Sequence, residues 1–189
     1  MSSPVTAAVL SIGTELTRGE LVNSNSAWLA EQLTALGFEC TEHHTVDDDL
    51  GRIVALIQAV APRHGVLVCT GGLGPTTDDL TTEAVAQALG VGLQRDPGSL
   101  DRIRSYFTAR GRVMSPSNEK QADFPAGARV LANDVGTAPG FHVTHAGAEL
   151  FFMPGVPREM KHLFSERVVP VIAGRVVRTT HQIHLRTFG

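Results

Sequence analysis

The chain has 189 residues, 42% hydrophobic and 19% charged, the composition of an ordinary folded domain with a sizeable core. Sixteen Lys plus Arg against nineteen Asp plus Glu give a net charge of −3, which argues against broad binding to nucleic acid or to anionic membranes. No apolar run approaches the ~20 residues of a membrane span, Met1-Ser2-Ser3-Pro4-Val5 lacks the basic start of a secretory signal, and 5% aromatic residues are too few for a base-stacking platform.

Strand and helix signals alternate along the chain. Val5 to Ile12 is apolar and β-prone and stops at Gly13. Asn25 reads as the cap of a helix carrying Trp28, Leu29, Leu33 and Leu36, closed by Gly37. Phe38 to Val46 reads as a second strand. Asp47, Asp48 and Asp49 read as the charged start of a helix with Ile53, Leu56, Ile57 and Val60 inward, stopped by Pro62. Val66 to Thr70 is the third strand and Leu80 to Leu89 the next helix, ended by Gly90. Farther on come a helix over Pro97 to Arg110, a short one from Ser115 ending near Pro125, and a short strand at Arg129 to Leu131. A turn-rich loop over Asn133 to Gly140 leads to paired strands at Phe141 to Thr144 and Glu149 to Met153. Pro157 then opens a helix with Met160, Leu163 and Phe164. Gln182 to Phe188 begins an alternating strand pattern that stops at Gly189.

This order predicts an α/β fold, a mostly parallel sheet with helices on both faces. Ligands in such sheets bind outside the carboxyl ends of the strands. Gly13-Thr14-Glu15 and Gly71-Gly72-Leu73-Gly74 both follow strand ends, so topology puts them on one rim. Cys40 and Cys69 sit in separate strand candidates with no metal or redox spacing, which reads as buried free thiols in a reducing cytoplasm.

The run from Val66 to Glu83 is the most informative stretch. Glycines at 71, 72 and 74 let backbone N–H groups approach a phosphate, and a helix start offers free donors to an anion. Asp78 and Asp79, at what reads as that helix start, suit a divalent metal or a bound water. The structural alternative is a plain strand-to-helix turn with an aspartate cap. No Walker motif, complete dinucleotide fingerprint or Gly-x-Ser-x-Gly elbow is present. His142 and His145 lie three apart in a predicted strand, on opposite faces, as do His181 and His184, so the histidines outline no zinc site.

Six blocks together carry a family resemblance: Ser11-Ile12-Gly13-Thr14-Glu15-Leu16, Asn23-Ser24-Asn25, Thr70 to Thr82, Asn118-Glu119-Lys120-Gln121-Ala122, Asn133 to Phe141, and Pro154-Gly155-Val156-Pro157-Arg158-Glu159-Met160. In this order they resemble the N-terminal domain of the CinA (competence/damage-inducible) proteins, over roughly residues 5 to 175. That domain is similar to the molybdopterin-binding fold of MogA, MoaB and the third domain of MoeA. The resemblance implies a three-layer α/β/α sandwich over residues 1–175, with 176–189 as the truncated start of a following segment. Pterin-type members usually carry Arg-Asp after the glycine loop; here the pair is Asp78-Asp79. The departure favours the CinA branch, in which the domain is associated with metal-dependent hydrolysis of the pyrophosphate of ADP-ribose. Full-length bacterial relatives often add a C-terminal nicotinamide-mononucleotide amidase domain, which is not assigned to this chain.

The resemblance therefore implies a nucleotide-type small-molecule substrate and a divalent metal, Mg²⁺ or Mn²⁺/Co²⁺. Asp79, Asp78 and Glu15 are the catalytic candidates, with Asp79 and Glu15 on the metal. Gly71, Gly72, Gly74, Thr76, Asn23, Lys120 and Gly155 are the substrate and phosphate candidates. Adjacent helical residues diverge by about 100°, so one aspartate of the pair is expected on the ligand and the other as the helix cap. Asn23 and Asn25 reach a ribose hydroxyl or cap the helix, with capping favoured for Asn25. A homo-oligomer, dimer or trimer, is expected from the family. Two alternatives stay open: a molybdopterin adenylyltransferase, and a non-catalytic nucleotide- or molybdopterin-binding module attached to an amidase domain.

Overall fold

Successive side chains along each strand point to opposite faces, so one sheet builds two cores. The structure, a computed structural model, describes residues 5–176; the strand expected over Gln182 to Phe188 lies outside them. The strands are β1 (Thr6–Ile12), β2 (Glu39–Val46), β3 (Val66–Thr70), β4 (Leu93–Arg95), β5 (Asp123–Pro125), β6 (Arg129–Leu131), β7 (Gly140–His145) and β8 (Ala148–Met153). The helices are α1 (Thr14–Thr17), α2 (Ser24–Ala35), α3 (Leu50–Val60), α4 (Thr81–Leu89), α5 (Pro97–Thr108), α6 (Pro157–Leu163) and α7 (Val169–Ile172). Six strands form the main sheet in the order β2-β1-β3-β8-β7-β6. The first four run parallel, and β7 and β6 extend the sheet antiparallel.

On one face Leu10, Leu67, Cys69, Leu150 and Phe152 pack with Ile53 and Ile57 of α3 and Ala84 and Val85 of α4. On the other, Val9, Val68, Phe151 and Met153 pack with Leu29 and Leu33 of α2 and Met160 and Leu163 of α6. The architecture is the expected three-layer α/β/α arrangement. Phe141, Phe151 and Phe152 on β7 and β8 are fully buried. At ~1.5–3 kcal/mol for each such side chain, the antiparallel hairpin belongs to the core.

The differences from the sequence-based expectations are local. Asn23, not Asn25, caps α2: its Oδ1 accepts from the Ser26 N–H at 3.0 Å. Asp78 and Asp79 are not helical, because a turn closed by Asp79 N–H to Thr76 O at 3.3 Å delays α4 to Thr81. Neither aspartate caps that helix; its N-cap is Leu80, without a side-chain bond. The segment before Pro125 is a 3₁₀ helix (Pro116–Ala122) running into β5, and β5 pairs with β4 in a separate antiparallel sheet. Three-residue strands are too short to show alternation in sequence. Cys69 is buried as expected, whereas Cys40 is only partly buried, on the edge strand β2. Among the described residues, no helix is long and apolar enough to cross a membrane.

Two substitutions test these elements. β7 and β8 are joined by Ala146 and Gly147, with φ of 50° and 85°, the left-handed pair that a two-residue hairpin turn needs. Ala146→Asn, which suits that conformation, is expected to raise the unfolding free energy by about 1 kcal/mol in urea titration. On β2, Glu42 meets Arg63 at 2.6 Å and His44 at 2.7 Å, and these bonds hold its carboxyl at about 2. That contribution is present above the ordinary glutamate value of ~4.3 and is lost as pH falls toward about 2. Thermal melts of Glu42→Gln should therefore lie below wild type at pH 7 and converge with it near pH 2.

Candidate functional site

Parallel register brings three strand ends to one rim. Ser11 pairs with Thr70, and Thr70 with Met153, so Gly13, Gly71 and Pro154 leave the sheet together. From β1 the sheet grows to β2 on one side and to β3 on the other, the kind of switch point where α/β sheets bind ligands. A cleft of about 430 Å³ opens there.

Its floor is the glycine turn. Gly71 and Gly72 have φ of 109° and 66°. An added Cβ at Gly71 would collide with the Ile12 carbonyl oxygen, and one at Gly72 with the Thr81 hydroxyl. The Gly71 N–H donates to Met153 O at 3.0 Å, and Thr81 Oγ1 donates to Gly71 O at 2.9 Å. The turn is thus clamped to β8 on one side and to α4 on the other. Among the described residues, the N–H groups of Gly72 and Gly74 make no internal hydrogen bond, so they are among the donors left for a ligand.

Asp79 folds back over Gly74, where an added Cβ would stand 2.5 Å from Oδ2. That oxygen accepts from the Thr76 N–H at 2.8 Å and the Thr76 hydroxyl at 2.6 Å. Thr76 is therefore committed to Asp79, and Oδ1 is the oxygen left for chemistry. Asp78 is exposed beside it. Lys120, expected as a phosphate clamp, spends its ammonium on the loop: Nζ donates to Thr76 O at 2.8 Å and Asp79 O at 2.9 Å. Gln121 adds a bond to Leu73 O at 3.4 Å. The 3₁₀ segment is in turn fixed by Arg95, which meets Glu119 at 2.6 Å and Asp123 at 2.8 Å.

Glu15 lines the cleft from α1, its carboxylate lying over Gly13. Asn23 does not line this cleft. Besides the cap, its Oδ1 accepts from the Ser11 hydroxyl and its Nδ2 donates to Thr45 Oγ1, both at 3.3 Å. It faces an adjoining cleft of about 240 Å³ that shares Ile12, Glu15 and Gly155 with the first. Gly155 touches both, and its carbonyl accepts from Asn25 Nδ2 at 2.8 Å. An added Cβ there would meet only Gly71 Cα at 3.5 Å, so internal packing does not require this glycine.

Two further carboxylates emerge only in three dimensions. Of the three consecutive aspartates, Asp47 pairs with Arg52 at 2.9 Å and Asp49 caps α3. Asp48 alone turns to the cleft and accepts from the Thr14 N–H and hydroxyl, both at 2.8 Å. Glu159 enters from α6, and burial pushes its carboxyl above the ordinary range. The sequence signal for Glu159 is its place in the Pro154 to Met160 block; for Asp48 a run of three identical residues hides the one that matters. Glu15, Asp48, Asp78, Asp79 and Glu159 thus line one cleft that, among the described residues, no Lys, Arg or His lines. No three His, Cys, Asp or Glu of the described residues gather into a metal-holding group.

Comparison with known proteins places this rim in context. Residues 8–174 match the family model described as "Probable molybdopterin binding domain". A CinA-like protein of Geobacter sulfurreducens is 46% identical over 168 residues, 89% of this chain and 41% of the relative. One from Geotalea uraniireducens is 45% identical, over 92% of this chain and 41% of the relative. The chain spans about two fifths of the length of these curated relatives. Among solved structures, the protein CinA of Thermoplasma acidophilum, described as of unknown function, superposes with a TM-score of 0.82 at 32% identity, covering 91% of this chain and 99% of that one. MoaB of Thermus thermophilus, a molybdopterin biosynthesis enzyme, superposes with a TM-score of 0.61 at 20% identity, over 89% and 91%, a likeness of fold.

Lys120→Met should release the loop that carries Asp79. The expected result is faster amide exchange over residues 72–79 and a loss of about 1–3 kcal/mol in urea titration. Unchanged exchange there would show that the loop holds itself.

Proposed function

Because the chain belongs to the probable molybdopterin binding domain family, in its CinA-like branch, we propose that it hydrolyses the pyrophosphate bond of ADP-ribose to AMP and ribose 5-phosphate with a divalent metal. One observation carries this reading: among the described residues, five carboxylates and no cationic side chain line the cleft at the glycine turn. Such a cleft repels a pyrophosphate unless a cation joins them. Asp78 adds to the acidity where pterin-handling relatives usually have Arg.

The donor set fits a metal shared with the ligand. Mg²⁺ is commonly held by one or two carboxylates, waters and substrate phosphates rather than by a closed protein cage, which agrees with the lack of a three-residue group among the described residues. Asp79, through its free Oδ1, and Glu15 across the cleft would hold it. When bound, the metal would neutralise phosphate charge and acidify a water. The protein's own contributions are the Gly72 and Gly74 N–H donors and the Thr76 and Lys120 bonds that fix Asp79. The adjoining cleft, with Leu16, Leu21, Val22 and Pro157 in its walls, would receive one nucleoside or sugar arm beyond the phosphates.

The test is incubation with ADP-ribose and Mg²⁺, Mn²⁺ or Co²⁺, with chromatography for AMP. Asp79→Asn keeps an acceptor for Thr76, so its melting temperature should stay near wild type while turnover falls roughly 100-fold or more. Tight ADP-ribose binding without AMP, with any of the three metals, would replace the hydrolase reading with that of a binding module.

A further inference from the structure

Glu159 is a cleft carboxylate held by the loop that carries Asn133 and Gly136. It stands on the first turn of α6, half-buried, with its carboxylate packed where a Cβ on Gly136 would collide with it. Asn133 Nδ2 donates to its Oε2 at 2.6 Å and to Ala138 O at 2.9 Å, and the Val135 N–H donates to Asn133 Oδ1 at 3.0 Å. The amide is thereby fixed in place, and it fixes one oxygen of Glu159. Oε1 has no partner among the described residues. A half-buried carboxylate aimed by a neutral donor, with one free oxygen in a ligand cleft, has the equipment of a proton acceptor.

Resting on the pyrophosphatase reading, we propose that Glu159 is the general base of this cleft. Water attacks one phosphorus of the pyrophosphate, forming the new P–O bond. The bridging P–O bond breaks, and its electron pair leaves on the departing phosphate. The water proton passes to Glu159 Oε1 and then to solvent, so atoms and charge balance without an oxidant or reductant.

The surroundings set the proton affinity that this requires. Arg158 is the charged neighbour on the same helical turn. On the 132–139 loop Asp134 is already paired with Arg167 at 2.7 Å and with His162 at 3.7 Å. From the other walls come Asp78, Asp79, Glu15 and Asp48, all acids. Burial raises the Glu159 carboxyl, the largest effect, while Asn133 and Arg158 lower it, and the net shift is upward. A base with a raised proton affinity is more effective than an ordinary carboxylate.

The test is the pH dependence of kcat and KM for ADP-ribose, with Mg²⁺, in wild type and Glu159→Gln. Gln retains an acceptor for Asn133 and nearly the same volume. In wild type, kcat should rise with pH through a limb above the ordinary glutamate range. In Glu159→Gln, kcat should fall roughly 10²–10⁴-fold, KM should stay within about threefold, and the limb should vanish. A structural brace alone would not move that limb. A second measurement needs neither metal nor substrate. A glutamate with a raised folded value stabilises the fold fully below its unfolded value and loses that contribution as pH rises through the folded one. Thermal melts of Glu159→Gln should therefore gain on wild type as pH rises from 4 to 8. Turnover in wild type with an unaltered limb in the variant, or a difference in melting that is flat with pH, overturns this assignment and leaves the hydrolase reading intact. Absence of turnover in wild type overturns both.

Discussion

The close pass of Gly71 beneath the Ile12 carbonyl governs what the rim can hold. No side chain fits between these two backbones, so the chain leaving β3 presses directly against the end of β1. From that contact the turn runs on through Gly72 to Thr81, whose hydroxyl and N–H return to Gly71 O and Gly72 O. The eight residues between are left as a loop with its ends fixed 3.2 Å apart, by the bond from Thr81 N to Gly72 O. Everything that the loop presents depends on this closure: free amides at Gly72 and Gly74, and Asp79 turned inward on Thr76.

Charge then decides what such a loop is for. Several basic side chains of the flanking elements are engaged elsewhere, Lys120 on two carbonyls, Arg52 on Asp47 and Arg167 on Asp134, while Arg158 stands beside Glu159. The cleft is left with an excess of acids, three of them tethered by a neutral group. Thr76 holds Asp79, Thr14 holds Asp48 and Asn133 holds Glu159. Neutral tethers fix position while leaving the carboxylates dependent on solvent or on a bound cation for their charge. Structural ion pairs, such as that of Glu42 with Arg63, lie elsewhere on the surface.

The large elements were legible because their signals repeat. Leu29 and Leu33, or Ile53 and Ile57, recur one turn apart, and Val66 to Thr70 is apolar throughout most of its length because both sheet faces are covered. The glycine loop and its rim were legible because unusual residues cluster there. What escaped depended on single long-range bonds. Asn23 and Asn25 are equally good caps by type, and only the entry angle of α2 selects one. Lys120 looked like a free cation because nothing local shows that Thr76 and Asp79 carbonyls would face it from 44 and 41 residues away. The same holds for Asp48 and Glu159, whose place in the cleft is a property of the assembled rim.

That separation in sequence has a kinetic side. Contacts between distant segments must overcome the entropy of closing the loop between them, and they are gained late. The Lys120 bonds close loops of this length between the main sheet and the small β4–β5 sheet. By that measure the latch is the shorter closure: Thr70 reaches Pro154, at the β3–β8 end of the sheet, across 84 residues, against 44 and 41 for Lys120. Latching the loop that carries Asp79 therefore has a smaller loop-closure cost than completing the parallel sheet beneath it.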